Sequence, residues 1–255
     1  MELIYGHPKS LKPIQTKYCP GCGHGVIHRL VCEVIDELGV QDHSVIMNPV
    51  GCSIWADLYF DFDSVQVPHG RTPAGATGVK RMLPDHLVVC YQGDGDLAAI
   101  GTAEIIHAAN RGEKFTGIFV NNAIYGMTGG QMAPTTLVGQ KATTAPYGRD
   151  PDESGMGYPI QVCELLSTLG GTKYLARGAV NTPANVRKTK QYIKKAFEMQ
   201  LRGEGFGLVE ILSPCPTNWA MKPGEANEWL EQNMIPFYKL GEIKNTIDAA
   251  KEATK

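Results

Sequence analysis

The 255-residue chain lacks an excess of charge of either sign: 24 Lys and Arg stand against 26 Asp and Glu, a formal net charge of −2. The electrostatic footprint of a nucleic-acid-binding surface is therefore missing, and no nucleic-acid partner is expected. No run approaches the roughly 18–20 consecutive apolar residues of a membrane span, so no membrane partner is expected either. Met1 to Lys17 are polar and contain no signal-peptide core. Internal repeats and low-complexity tracts are absent. With 43% hydrophobic and 20% charged residues, the composition is that of a globular chain. The reading is a single domain over residues 1–255, with a core over 18–219 and a C-terminal docking extension over 220–255, in a soluble, cytoplasmic protein.

What is present is cysteine and glycine in unusual settings. Seven cysteines cannot all pair within one chain, and a reducing cytoplasm leaves them free. Cys32, Cys90 and Cys163 fall inside apolar periodic segments and read as small core residues. The other four lie in loops: Cys19 and Cys22 in Cys19-Pro20-Gly21-Cys22-Gly23-His24-Gly25, Cys52 in Gly51-Cys52-Ser53, and Cys215 between Pro214 and Pro216. Four loop thiolates suit either an iron–sulfur cluster or a structural zinc ion.

The hydrophobic pattern alternates between strands and helices. Val26 to Leu38 carries helical spacing and ends at Gly39; Ser44–Met47, Leu87–Tyr91, Phe115–Val120, Tyr174–Ala179 and Gly207–Leu212 read as buried strands. Helices are expected over Leu97–Arg111, Gln161–Leu169, from Thr182-Pro183 to about Leu201, and near Ala226–Met234. The fold class is therefore α/β, a parallel sheet covered by helices on both faces. A long Gly-, Thr- and Pro-rich stretch between Tyr125 and Met156 is too long for an idle connection.

Ligands of such sheets sit at the carboxyl ends of strands, which directs attention to Gly93-Asp94-Gly95-Asp96. The segment fits a dinucleotide fingerprint, but the next strand ends in Asn121-Asn122 where a ribose-binding acid would be needed. Asp94 and Asp96 would also oppose a pyrophosphate unless a divalent cation lay between them. Mg²⁺ takes mixed carboxylate, amide and carbonyl oxygens when it holds a diphosphate. The 25 residues between Gly95 and Asn121 are one helix and one strand, so Asp94 and Asn122 meet across neighbouring strands, with a carbonyl from about Ile124.

GDG, this spacer and NN form the thiamine-diphosphate motif. With the CPGCGHG, GCS, His69-Gly70-Arg71 and Tyr125-Gly126-Met127-Thr128-Gly129-Gly130-Gln131 segments, the chain resembles the β subunit of the 2-oxoacid:ferredoxin oxidoreductases from about Tyr18 to Trp219. The resemblance implies a thiamine-diphosphate-binding fold in which Asp94 and Asn122 by side chain, and Ile124 by its carbonyl, hold Mg²⁺. Gly51, Cys52, Ser53, His69, Gly70, Gly93, Gly95, Asp96 and Thr128 would contact the cofactor. Cys19, Cys22, Cys52 and Cys215 would ligate one 4Fe-4S cluster.

The implied reaction is oxidative decarboxylation of a 2-oxoacid with coenzyme A to acyl-CoA, CO₂ and reduced ferredoxin. The implied partners are an α subunit supplying the activating glutamate, a γ subunit, a ferredoxin-like δ subunit and ferredoxin as electron acceptor. Glu104 and Glu164 read as helix-face residues with no claim to the activating role, so the chain alone is expected to be inactive. Apolar Ile54-Trp55-Ala56, Met127 and Met132 favour a branched-chain substrate such as 2-oxoisovalerate. Arg71 or Lys80 as a cation keeps 2-oxoglutarate open. Two other readings stand: a non-oxidative thiamine-dependent decarboxylase or synthase, which leaves the loop cysteines idle, and a zinc-stapled α/β binding protein, which leaves Asp94, Asp96 and Asn122 idle.

Overall fold

The structure, a computed structural model, describes residues 6–152 and 155–247. Seven strands form one sheet in the order β2-β1-β3-β4-β6-β5-β7. In chain order the elements are α1 (His24–Leu38), β1 (Ser44–Asn48), α2 (Ala56–Tyr59), β2 (Asp63–Gln66), α3 (Thr72–Met82), β3 (Leu87–Gly93), α4 (Thr102–Arg111) and β4 (Thr116–Asn121). They continue with α5 (Val162–Ser167), β5 (Thr172–Ala179), α6 (Pro183–Leu201), β6 (Phe206–Leu212), α7 (Pro216–Trp219), α8 (Pro223–Trp229), α9 (Ile235–Phe237) and β7 (Gly241–Asn245).

Strands β1, β3, β4, β5 and β6 are buried on both faces, which is why they read as near-continuous apolar runs. One core lies between the sheet and α1 and α6, through Ile27, Val31, Ile35, Ile193 and Phe197. The other lies beneath α3, α4 and α5, through Ala76, Ile105, Ala108 and Leu166. Cys32, Cys90 and Cys163 are buried within these cores. Gly39 ends α1 in the left-handed region at φ 66°. Thr182 caps α6 by accepting from the Asn185 N–H at 3.2 Å, with Pro183 at the first helical position.

The structure corrects several expectations. The sheet is parallel except at β7, which runs antiparallel to β5 and makes part of the expected docking extension into an edge strand. Residues 248–255 of that extension lie outside the described residues. The expected helix over Leu97–Arg111 is interrupted. Asp94 and Gly95 turn helical directly from β3, Asp96–Ile100 form a wide π-type turn closed by Gly101 N–H on the Asp96 carbonyl (2.9 Å), and α4 starts at Thr102. The cause is close packing, because Gly101 lies against the Gly70 backbone where a Cβ would sit 2.8 Å from the Gly70 carbonyl. Strand β2 and helix α3 were not foreseen. No described helix is long and apolar enough to cross a membrane.

Candidate functional site

Four neighbouring strands, β1, β3, β4 and β6, send their carboxyl ends toward one corner of the molecule, where the chain connections reverse across the sheet. From β1 the chain continues to Gly51-Cys52-Ser53, and from β6 to Cys215. Gly93 of β3 pairs with Val120 of β4, so Asp94 and Asn122 leave the sheet side by side. A cleft of about 300 Å³ opens there, at the lower bound of small-molecule sites, roughly 300–1,000 Å³. It is lined by Gly51, Cys52, Ser53, His69, Gly93, Asp94, Gly95, Asp96, Asn122, Ile124 and Thr128, with His24, Val50, Ala99, Ile100, Tyr125, Gly126 and Met127.

Of the residues singled out for a cofactor, Gly70 alone is not on that lining. Its role is beneath it: Gly70 is buried at φ 77°, a Cβ there would stand 2.8 Å from Gly101 N, and its N–H donates to Asp96 Oδ1 at 2.5 Å.

Asp94 is buried and receives three hydrogen bonds: Gly95 N–H on Oδ1 (2.8 Å), and Ile124 N–H (3.1 Å) and the Thr135 hydroxyl (2.9 Å) on Oδ2. Burial pushes its carboxyl up to about 6 despite these donors. The side-chain oxygen of Asn122 also accepts from Ile124 N–H (3.2 Å), and its carbonyl accepts from the Trp219 indole (3.1 Å). Between them Ala123 has φ 55°, a left-handed conformation that a non-glycine residue adopts only when its surroundings enforce it. The Thr136 hydroxyl (2.7 Å) and the Gln140 amide (3.3 Å) hold its carbonyl.

Asp96 does different work. Its carboxylate accepts from Gly70 N–H, the Gln92 amide (2.6 Å) and the Thr72 hydroxyl (3.3 Å), and lies 2.8 Å from His69 Nδ1. It pins the Gly70–Thr72 loop to the cleft floor, and the His69 ring lies beside it on the lining. A Cβ on Gly95 would come within 2.7 Å of the Tyr125 ring, so glycine is what lets that ring close over the turn. Thr128 is exposed and donates to Gln131 Oε1 at 2.5 Å.

The four loop cysteines share one neighbourhood beside the cleft. Gly23 N–H donates to the Pro214 carbonyl (3.4 Å), and a Cβ on Gly21 would press on Pro223 at 2.6 Å, so the CxxC loop lies against the Cys215 loop. A Cβ on Gly126 would stand 3.4 Å from Cys52 Sγ and 3.6 Å from Cys215 Sγ. Burial, opposed by a backbone hydrogen bond and reinforced by the other three thiols, pushes Cys22 up to about 12. Burial together with Cys215 and Cys19 pushes Cys52 to about 11. The Asn218 amide donates to Cys215 Sγ at 3.3 Å and to the Gly126 carbonyl at 3.0 Å. Among the described residues, no three His, Cys, Asp or Glu side chains are grouped as ligands of a single metal ion.

Other expectations do not hold. Ile54, Trp55, Ala56 and Met132 lie off the cleft lining, and Met132 packs on the cluster around Trp219 and Leu230. Arg71 pairs with Glu104, and Lys80 donates to the His86 carbonyl at 2.6 Å, so neither brings a cation to the cleft. Glu164 forms a two-pronged pair with Arg177 (2.8 and 2.6 Å), away from the cleft as expected. Sequence reasoning missed the structural anchor of the long loop, Arg149, which donates to the carbonyls of Thr136, Pro134, Met156, Gly157 and Tyr158 at 2.7–3.0 Å. It also missed Thr135 and Asn218, which sit in no motif. His24 stood in a quoted motif without a role; it lines the cleft, with Nδ1 2.7 Å from the Tyr91 hydroxyl.

Residues 50–211 match the family of the thiamine pyrophosphate enzyme C-terminal TPP-binding domain. The chain is 51% identical over 240 residues to the ketoisovalerate oxidoreductase subunit VorA of Methanothermobacter marburgensis, covering 94% of this chain and 49% of that protein. It thus spans about half the length of that relative. It is 39% identical over 229 residues to the 2-oxoglutarate synthase subunit KorB of Methanocaldococcus jannaschii, covering 87% of this chain and 79% of that one. A solved structure of 2-oxoglutarate:ferredoxin oxidoreductase from Magnetococcus marinus superposes with a TM-score of 0.76 at 29% identity, over 96% of this chain and 86% of that chain. By these similarities and the domain it carries, the chain belongs to the 2-oxoacid:ferredoxin oxidoreductase family, among the subunits built on the TPP-binding domain.

Proposed function

We propose that this chain is the thiamine-diphosphate-binding β subunit of a multi-subunit enzyme that oxidatively decarboxylates a branched-chain 2-oxoacid, passing acyl to coenzyme A and electrons to ferredoxin. The observation that carries this reading is the buried Asp94 beside Asn122 in a cleft with no Lys or Arg among its lining residues. A diphosphate entering such a cleft needs a divalent cation, and the Asp94 carboxylate, Asn122 amide oxygen and Ile124 carbonyl are the oxygen set Mg²⁺ takes. When bound, thiamine diphosphate supplies the electron sink for cleavage of the bond beside the 2-oxo group. Gly51, Gly93 and Gly95 would let it approach the backbone closely, and the Ser53 and His69 side chains on the lining would stand beside it.

Cys19, Cys22, Cys52 and Cys215 would hold a 4Fe-4S cluster. What favours a cluster over a zinc ion is the place of Cys52, which belongs both to this set and to the cleft lining and would give electrons a short exit. Among the described residues no glutamate lines the cleft, which supports an activating glutamate from a companion α subunit. Companion γ and ferredoxin-like δ subunits complete the proposed assembly.

Exposed Val50, Ile100 and Met127 make the cleft rim apolar, and the Methanothermobacter relative is named for ketoisovalerate; both favour a branched side chain. The second reading, 2-oxoglutarate, has the Methanocaldococcus relative behind it and would need a cation from a companion chain. The test is iron, sulfide, zinc, Mg²⁺ and thiamine analysis of the complex purified anaerobically, followed by ferredoxin reduction with each oxoacid. About four irons and four sulfides per chain, with faster reduction by 2-oxoisovalerate, are expected. One zinc without sulfide would remove the electron-exit role, and faster turnover of 2-oxoglutarate would select the second substrate.

A further inference from the structure

Behind the Asn121–Ile124 turn lies a fully buried ion pair that does not touch the cleft. Arg177 of β5 and Glu210 of β6 are register partners, both with 0% exposure. Arg177 Nε donates to Glu210 Oε2 at 2.8 Å, and its two terminal nitrogens donate to the Glu164 carboxylate. Burying this pair is costly, so its retention asks for a reason beyond stability. Glu210 also faces Phe119 across β4, which puts Asn121 on the same face two residues further along.

The second oxygen of Glu210 fixes the direction of a hydrogen-bond chain. Oε1 accepts from Asn121 Nδ2 at 2.7 Å, and Asn121 Oδ1 accepts from the N–H of Ala123 at 3.1 Å. Because a carboxylate only accepts, Asn121 can present only its amide nitrogen to Glu210 and only its oxygen to Ala123. Ala123 is the residue held at φ 55° between Asn122 and Ile124. A second arm reaches the same site: the Arg177 guanidinium lies 5.3 Å from the Tyr238 ring centre, the Tyr238 hydroxyl donates to the Thr135 carbonyl (2.7 Å), and the Thr135 hydroxyl donates to Asp94 (2.9 Å).

We infer that Glu210, acting through Asn121 and oriented by Arg177, is a positioning residue that holds the left-handed Ala123 turn in the shape that presents Asn122 and Ile124 to the metal. The inference rests on the proposed Mg²⁺–thiamine-diphosphate reading. Its chemistry makes a directional demand. In Glu210→Gln the new amide must turn its NH₂ either to Arg177, donor against donor, or to Asn121. In the latter case Asn121 flips and opposes the Ala123 N–H with its own NH₂. Adding Asn121→Asp restores the pattern with the same net charge. The introduced glutamine then accepts from Arg177 and donates to the introduced aspartate, whose other oxygen accepts from Ala123 N–H.

The test is calorimetric titration of Mg²⁺-dependent thiamine diphosphate binding to the full chain purified with its companion subunits. E210Q is expected to raise the Mg²⁺ needed for half-saturation about tenfold, with cofactor affinity recovering at saturating Mg²⁺. E210Q/N121D is expected to return to within about threefold of the unsubstituted chain. Wild-type titration by E210Q, no rescue in the double variant, or weakening that persists at saturating Mg²⁺ would each overturn the inference. Should E210Q fail to fold, Asn121→Ala removes the same acceptor without unpairing Arg177; a raised Mg²⁺ requirement supports the inference and an unchanged one overturns it. Failure of the unsubstituted complex to bind Mg²⁺ and thiamine diphosphate would instead overturn the functional reading.

Discussion

Asp94 carries the sharpest single-residue consequence. Its carboxyl lies near 6 rather than 3.8 because the chain buries it and the three donors around it do not offset that burial. In the metal-free chain, the proton on folded Asp94 contributes stability that is complete below about pH 4 and is lost as pH rises through about 6. A divalent cation reverses the sign, since it binds the deprotonated form. Mg²⁺ affinity is therefore expected to be level above about pH 7 and to fall about tenfold per pH unit below about pH 6, measured by calorimetry across pH 5–8. D94N should lose both the affinity and its pH dependence. Gly95→Ala tests the neighbouring position. Its Cβ would displace the Tyr125 ring from a 2.7 Å approach, so thiamine diphosphate binding is expected to weaken about tenfold while the melting temperature moves little.

Among the elements, the wide turn at Asp96–Ile100 and the Gly70 loop it packs against form one unit. Gly70→Ala adds a Cβ 2.6 Å from Ile100 Cγ2 and 2.8 Å from Gly101 N, at a φ of 77° that alanine resists. It is expected to destabilise the metal-free chain by at least about 2 kcal/mol in urea unfolding, because backbone rather than a flexible side chain must yield. This unit also marks where sequence reading stops. Strands buried on both faces, such as β3 and β6, announce themselves as apolar runs, and α1 and α6 by helical spacing. The positions of Asp94 and Asn122 followed from counting one helix and one strand between two motifs.

Elements at the margins were illegible for physical reasons. Strand β2 is exposed at all four residues, β7 is a polar edge strand, and α3 contains Pro73, Gly75, Gly78 and two threonines, so propensity argues against it and packing alone makes it helical. Gly70 was read as a cofactor contact because a motif gives neighbours in sequence, whereas its partner Gly101 is a neighbour only in space; Asp96 does line the cleft, but its hold on the Gly70–Thr72 loop could not be read from the motif. The Glu210–Asn121 chain is invisible for the same reason, since it joins residues 89 positions apart.

For the whole molecule, the question is what one chain can do. The sheet gathers the ends of β1, β3, β4 and β6 at one corner, where the cleft opens and the loops that carry Cys19, Cys22, Cys52 and Cys215 lie against one another. For the proposed reaction that cleft is incomplete. Among the described residues its ionisable lining consists of two aspartates, two histidines, Cys52 and Tyr125, with no glutamate, Lys or Arg, whereas the proposed reaction needs a glutamate beside the aminopyrimidine and a cation for the substrate carboxylate. Val50, Ile100 and Met127 leave 46%, 50% and 44% of their surface exposed at its rim, an apolar border that a companion chain would cover. Binding and turnover should therefore separate. The isolated chain is expected to bind Mg²⁺ and thiamine diphosphate yet show no oxoacid-dependent ferredoxin reduction, and addition of the α subunit should restore reduction. Equal turnover by the isolated chain would mean that an acid from this chain reaches the ring, and would send the search for it to Asp96 and His69, a lining pair already joined at 2.8 Å.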